Sequence, residues 1–288
     1  MSVQRDENGR RYVAAEVEVP GSPEEVWHAI ATGSGISSWF VPTKSDEREG
    51  GTIECSFGPG MDSIEKITEW DPPRRYITGS GDSPETVASE WTVEARSGGT
   101  CVVRVVHRWF ADSDDWDAEF ETHAYGWATS YFRLLQLYLT HFSGQECSAV
   151  DLSAFSSAPP AQTWRSVTSA FRFDSEAQRV TSAPGAPAIT GAVENAEVTD
   201  PDLLRIRERS PMITAAFEGL DGENPDLLLR LDRPAPGLAH IFIMPMGEQT
   251  MISIRFFLYG ETGAAAASNV EQEWSNWLAA RFRKEAPT

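Results

Sequence analysis

Residues 12–19, Tyr-Val-Ala-Ala-Glu-Val-Glu-Val, settle into alternating polar and apolar positions and predict a strand with one solvated face. Pro20-Gly21-Ser22-Pro23 ends that strand and opens a helix. Ser22 suits the N-cap, Pro23 the first helical position, and Glu24 and Glu25 the positive end of the helix dipole. Val26, Trp27, Ala29 and Ile30 carry the helix to Thr32-Gly33, and a second helical piece follows over 35–40. Strand-like stretches come next at 52–57, 61–70, 74–79, 86–96 and 100–110. Gly50-Gly51, Gly58-Pro59-Gly60, Asp71-Pro72-Pro73, residues 79–84 and Ser97-Gly98-Gly99 separate them. Ser89, Trp91, Val93 and Ala95 alternate with Glu90, Thr92 and Glu94 and form an inward set; Val103, Val105, His107 and Trp109 form the next. A long helix closes the block, capped by Ser113 or Asp114. Phe120, Ala124, Trp127, Tyr131, Leu134, Leu135, Tyr138 and Phe142 give it one apolar stripe at three- and four-residue spacing, and Gly144 ends it.

The second half repeats this order in weaker form. Pro23-x-x-Val26-Trp27 matches Pro160-x-x-Thr163-Trp164, and Asp71-Pro72 before Arg74-Arg75-Tyr76-Ile77 matches Asp200-Pro201 before Leu203-Leu204-Arg205-Ile206. Each half closes on a Trp-containing helix, the second over about 264–283 with Val270, Trp274, Trp277, Leu278 and Phe282 on one face. Similar but unequal offsets are what a diverged duplication with loop insertions leaves. The expected domains are 1–145 and 146–288. The runs 239–244 and 251–257 are almost unbroken in apolar residues, which predicts strands buried on both faces. They are expected to form part of an interface with the first half or with a second copy of the chain.

Composition removes several classes. Lys and Arg total 24 against 43 Asp and Glu, a net charge of −19 that repels phosphate backbones and excludes non-specific nucleic-acid binding. No apolar run approaches the roughly 18–20 residues that span a bilayer. The opening residues lack the apolar core of a signal peptide, so the expected location is cytoplasmic. Cys55, Cys101 and Cys147 stand apart with no C-x-x-C pair, which suggests neither a disulfide framework nor a zinc site. The acidic run Asp112, Asp114, Asp115, Asp117, Glu119 and Glu121 lacks the central Gly and terminal Glu of a calcium loop and reads as helix capping. Nucleophile elbow, phosphate loop and dinucleotide fingerprint are all missing. No catalytic residue, metal or cofactor is therefore assigned.

Several segments together carry a family likeness. They are Ser22-Pro23-Glu24-Glu25-Val26-Trp27-His28-Ala29-Ile30, Ile36-Ser37-Ser38-Trp39-Phe40, and Glu69-Trp70-Asp71-Pro72-Pro73-Arg74-Arg75-Tyr76. Gly98-Gly99-Thr100 with the strand after it, and the closing Gly126-Trp127-x4-Phe132-x2-Leu135-x3-Leu139, complete the set. Over residues 12–143 the chain resembles the SRPBCC, or START-like helix-grip, superfamily, and within it the group of the activator of heat-shock protein 90 ATPase. The second half lacks the Gly-x-Ser-x-Trp-Phe helix and the Gly-Gly-Thr strand start, and joins the likeness mainly through the repeat. The resemblance implies an α+β fold of two tandem helix-grip domains. Each is a curved antiparallel sheet wrapped around a long C-terminal helix, with a cavity between them. It also implies hydrophobic-ligand binding, as in many members, and chaperone contact, as in a few. It transfers no catalytic motif.

Such a cavity in the first domain draws its lining from Trp39 and Phe40 of the second helical piece, Trp91 and His107 of the strands, and His123, Trp127 and Tyr131 of the long helix. Indole and phenol rings stack on planar ligands while their N–H and O–H groups orient them. The same rings at helical spacing also serve as plain core. His107 has the chemistry for a ligand hydrogen bond or for a general base near neutral pH, and equally that of a satisfied core histidine. His28, His141 and His240 fit no cluster. The expected function is non-catalytic binding of a hydrophobic or aromatic small molecule. The alternatives are a polyketide aromatase/cyclase-like enzyme and a chaperone ATPase activator-like partner protein; a homodimer fits the apolar strands of the second half.

Overall fold

A computed structural model of the chain describes residues 3–6, 11–79, 87–109, 117–220 and 223–282. The expected helix cap at Ser113 or Asp114, the carboxylates of Asp112 and Asp115, and most of the 79–84 turn lie outside the described residues. The chain forms two compact units. The first comprises 1–57, 61–144 and 196–211; the second comprises 58–60, 145–195 and 212–288. Among the described residues no helix is long and apolar enough to cross a membrane.

The first unit opens with β1 (Gln4–Arg5), β2 (Arg11–Pro20), α1 (Pro23–Ala31) and α2 (Gly33–Ser37). Six strands follow: β3 (Thr43–Ser45), β4 (Thr52–Ser56), β5 (Asp62–Asp71), β6 (Arg75–Gly79), β7 (Ala88–Arg96) and β8 (Thr100–Trp109). The expected capping box is present, with Ser22 Oγ accepting from the Glu25 N–H at 3.3 Å and Glu25 Oε2 accepting from the Ser22 N–H at 2.8 Å. A helix end leaves its last carbonyls without intrahelical partners. Here Thr32 N–H and Oγ1 donate to His28 O, the Trp39 indole N–H to Ala29 O at 2.9 Å, and the Tyr76 hydroxyl to Ile30 O at 2.7 Å. The short helix α2 turns back so closely that a Cβ on Gly35 would stand 1.9 Å from His28 O. That approach sets Trp39 and Phe40 over the sheet.

The strands form one antiparallel sheet in the order β1-β2-β8-β7-β6-β5-β4-β3. Its register places Thr78, Ser89, His107 and Val13 in one row across four strands, and Tyr76, Trp91, Val105 and Ala15 in the next. Side chains two apart along a strand share a face, so both rows lie on one side of the sheet. The closing helix lies against that side as α3 (Asp117–Gly126), a π-helical turn (Trp127–Tyr131) and α4 (Phe132–His141). Arg11 on β2 is buried, with Nε 3.6 Å from Asp117 Oδ1, and Gln136 Nε2 donates to Glu18 O at 2.9 Å. Trp109 stacks on Phe120 at 3.9 Å.

The π-turn corrects the expectation of one unbroken α-helical stripe. The Phe132 N–H donates to Trp127 O, five residues back, which adds a residue to that turn and rotates everything after it. Phe132, off the stripe of an ideal α-helix, is therefore fully buried, and Tyr131 is only partly so.

The second unit runs through β9 (Cys147–Ser156), α5 (Pro160–Thr168), β10 (Phe171–Asp174), β11 (Arg179–Ser182) and β12 (Thr190–Val193). After α6 (Pro201–Arg209), which belongs to the first unit, come α7 (Pro211–Phe217), β13 (Asp226–Arg233), β14 (Gly237–Met246), β15 (Gln249–Tyr259) and α8 (Gly260–Ala279). Its antiparallel sheet has the order β9-β15-β14-β13-β12-β11-β10. In the first unit β2-β8-β7-β6-β5-β4-β3 follows the same rule: the first strand pairs with the last, and the rest descend. The architecture is α+β, with two tandem sheets of one topology and a Trp-bearing helix after each. Ile241, Ile243, Ile252, Ile254, Trp164, Trp274 and Trp277 share the core of the second unit. Residues 251–257 of β15 are buried on both faces, as their unbroken apolar run predicts, whereas on β14 Phe242 and Met244 are only partly buried.

One of the two repeat matches fails. Asp71-Pro72 stands at the turn into β6, whereas Asp200-Pro201 opens α6, with Asp200 Oδ1 accepting from the Asp202 N–H at 2.8 Å. Leu203 and Ile206 are buried at helical spacing between exposed Arg205 and Arg209, so the period there is that of a helix. Strand order and the Pro23 and Pro160 helices carry the repeat instead. Within the first unit α6 docks on α3, with Ser210 and Thr122 hydroxyls 2.7 Å apart and Arg209 2.9 Å from Glu121.

Candidate functional site

Trp127, at the first residue of the π-turn, is the hub of an aromatic cluster in the first unit. Its ring lies 4.9 Å from Phe40, 5.0 Å from Trp91, 5.2 Å from Tyr131, 5.4 Å from Phe132 and 6.4 Å from Trp39. Phe40 and Trp39 reach it from the segment after α2, Trp91 from the sheet, and Phe132 and Tyr131 from the helix itself. The Trp91 contact is edge-to-face, the arrangement that the ring quadrupole favours. Gly126 matters here because a Cβ would stand 3.3 Å from Tyr131 Cε2, so the phenol folds back over the π-turn where a side chain would crowd it. Beyond Trp91 the rings continue through Tyr76, stacked at 6.1 Å, to Trp27 and Trp70.

The sequence reading named seven site residues, and the fold brings Trp39, Phe40, Trp91, His107, Trp127 and Tyr131 into this one cluster. His123 stands at its margin, exposed, with its ring 6.1 Å from His107 and 5.8 Å from Phe120.

His107 is committed on both sides. The Trp127 Nε1–H donates to Nε2 at 3.0 Å, and Nδ1 lies 2.9 Å from Ser89 Oγ. An indole nitrogen only donates, so Nε2 must be the bare nitrogen; the neutral imidazole then carries its proton on Nδ1 and gives it to Ser89. Burial, with a smaller push from His123, drives the imidazole down from 6.5 to about 3. The ring is neutral near pH 7 and has no lone pair to spare. Of the two readings open to it from the sequence, the geometry is that of a satisfied histidine that ties helix to sheet.

The floor beneath the rings holds polar groups that sequence reading missed. Thr78 and Ser89 are buried neighbours across β6 and β7, and the Thr78 hydroxyl donates to Glu65 Oε2 on β5. Burial pushes the Glu65 carboxyl above its usual range, with the Thr78 hydrogen bond pulling the other way. Burial likewise pushes the Cys55 thiol up; its Sγ lies 3.5 Å from Thr43 Oγ1. The available signal was alternation: Ser63, Glu65 and Ile67 fall on one face of a strand whose other face is exposed.

The second unit is richer in buried polar groups than its apolar strands suggest. His240 Nε2 lies 3.0 Å from Asp226 Oδ2, and Arg255 Nε lies 3.6 Å from Asp151 Oδ2. Register aligns His240 with Arg255 and Arg255 with Asp151, so His240 belongs to a cluster after all, one assembled across strands far apart in sequence. Among the described residues no group of three or more His, Cys, Asp or Glu side chains gathers as a metal site.

Comparison with known proteins bears on the first unit most. Residues 10–135 match the family described as polyketide cyclase/dehydrase and lipid transport. No curated protein matches the chain. Among solved structures, the di-domain ARO/CYC BexL from the BE-7585A biosynthetic pathway is 15% identical, with 96% of this chain and 100% of that one covered and a TM-score of 0.42. The Aha1 dimer protein from Colwellia psychrerythraea is 21% identical, covering 46% of this chain and 98% of its own, at a TM-score of 0.40. CalU16 from Micromonospora echinospora is 18% identical over 49% of this chain and 83% of its own, at 0.38. Over residues 10–135, then, the chain is similar to the SRPBCC-type helix-grip family described as polyketide cyclase/dehydrase and lipid transport.

Proposed function

We propose that the first unit binds a hydrophobic or aromatic small molecule between its sheet and its long helix and does not transform it. The observation that carries this reading is the cluster around Trp127, where five other rings from three parts of the chain meet over a floor of buried hydroxyls. Aromatic side chains with a few placed polar groups are the usual lining of small-molecule sites. His107, with both nitrogens engaged, supplies no free base, which favours binding over acid–base turnover.

A thermal-shift screen of the full chain against polycyclic aromatics and lipids tests this directly. A ligand present at about 100 times its Kd adds roughly 2.7 kcal/mol to the folded state, a rise of several degrees in the melting midpoint. A panel without a single stabilising compound removes the reading.

A cyclase-like activity is the second reading, and one observation favours it: a buried carboxyl, Glu65, whose protonated form is stabilised beneath the rings. Cyclised product from a poly-β-ketone substrate, lost in Glu65→Gln, would establish it over simple binding.

A further inference from the structure

Among the described residues four strands end the two sheets, and three of them are short: β1 has two residues, β3 three and β10 four. Beside β1, strand β2 carries exposed Glu16 and Glu18. Short edges and edge charges are how folded proteins keep sheet edges from pairing with other chains. The fourth strand, β9, has ten residues, no Pro, Lys or Arg, and no bulge in its register with β15. Among the described residues no strand pairs with its outer edge.

The first stretch of that edge is open to solvent. Ala149 and Asp151 are exposed, whereas Ala154, Phe155 and Ser156 are all buried. Asp151 is exposed as a residue although its side chain is only 25% exposed, so its main chain carries the exposure. It is the one charged residue on β9, and Arg255 on β15, 3.6 Å away, offsets the charge that would otherwise guard the edge. The apolar runs 239–244 and 251–257 offer no such edge, because β14 and β15 each have a neighbouring strand on both sides.

We propose that β9 is a self-pairing edge: two copies of the chain join antiparallel about a two-fold axis at Val150, continuing the sheet of the second unit across a dimer. The proposal is independent of the ligand reading above. Side chains opposite one another share a face, so the axis falls on a residue. On Asp151 it would set two like charges against each other, which disfavours pairing. On Leu152 the pairing would draw in the buried 154–156 end. On Val150 it sets Ala149 opposite Asp151 of the partner subunit and uses 147–153, the open stretch. Helix α8 runs along β9, so the same axis brings α8 beside its copy, and Ala264, Ala265 and Ser268 on its exposed surface are small enough to permit the approach.

Sedimentation equilibrium of the full chain tests it. The parent is expected to form a dimer with a Kd between about 1 and about 100 μM. Ala149→Asp places a carboxylate opposite Asp151 of the partner subunit, twice per dimer, and is expected to weaken association about tenfold. Ala149→Lys places the opposite charge there and is expected to tighten it several-fold. Lysine is a usual guard of an exposed edge, so tightening by lysine belongs to this pairing alone. Ala149 is exposed, and circular dichroism of both variants is expected to match the parent. A single-chain mass up to about 100 μM overturns the proposal. So does a dimer that both substitutions weaken or that neither changes, and so does a heavier species containing a different protein.

Discussion

The indole Nε1–H of Trp127 donates to Nε2 of His107 across 3.0 Å, and this one bond fixes the tautomer of the imidazole. Because the indole is donor-only, the imidazole is a neutral Nδ1–H tautomer, and Ser89 is its acceptor. Helix and sheet are thus joined at the residue around which the aromatic rings gather.

Acid should loosen this joint. The His107 imidazole titrates near 6.5 when unfolded and at about 3 when folded, so the unfolded chain takes up the proton first as pH falls. The stability His107 contributes is complete above about pH 6.5 and drains between there and about pH 3, at up to roughly 1.4 kcal/mol per pH unit. Urea denaturation between pH 7 and pH 5 should show this slope in the parent and a shallower one in His107→Phe. Equal slopes would mean that His107 is not held neutral.

Trp127 separates the ring from its N–H. Trp127→Phe keeps a ring but strips His107 Nε2 of its donor, at an expected cost of about 1–3 kcal/mol. Trp127→Ala also empties the hub and should cost about 3–5 kcal/mol. Denaturant midpoints of the two variants give the comparison, and equal losses would assign the whole effect to hydrogen bonding.

Much of this fold was legible in the chain. Ser22-Pro23-Glu24-Glu25 announced α1 because capping is local chemistry, and the alternation at Ser89, Trp91 and Val93 announced the inner face of β7 because a strand has period two. The aromatic set was legible for the same reason. The π-turn was not, since an extra residue in one helical turn leaves a three- and four-residue spacing intact on either side. Glu65 and Thr78 escaped because their partnership depends on register between β5 and β6, including a bulge at Ile67–Glu69. His240 escaped likewise: its partner Asp226 and its neighbour Arg255 come from adjacent strands. Asp200-Pro201 misled because the same dipeptide serves a turn in one place and a helix start in another.

Gly35 should prove intolerant of any side chain. A Cβ there meets His28 O at 1.9 Å and His28 C at 2.7 Å, and backbone atoms of a neighbouring helix cannot step aside. Gly35→Ala is expected to cost more than about 3 kcal/mol, with Ser34→Ala as a control within about 0.5 kcal/mol. Melting midpoints decide, and a mild Gly35→Ala would mean that α2 does not sit where it must to deliver Trp39 and Phe40.

Ser22→Ala offers a milder probe. It removes the Oγ that accepts from the Glu25 N–H and should cost about 1 kcal/mol in chemical denaturation. Glu25→Gln should cost less, because the side-chain amide oxygen still accepts from the Ser22 N–H.

The indole N–H resonances of the ten tryptophans report on the central claim at single-residue resolution. In a 15N correlation spectrum of the full chain titrated with 1,3-dihydroxynaphthalene, the peaks of Trp39, Trp91 and Trp127 should move together and saturate, while those of Trp164, Trp274 and Trp277 hold still. Saturable shifts confined to the second group, or none in the first, would contradict an aromatic-ligand site beneath the long helix of the first unit.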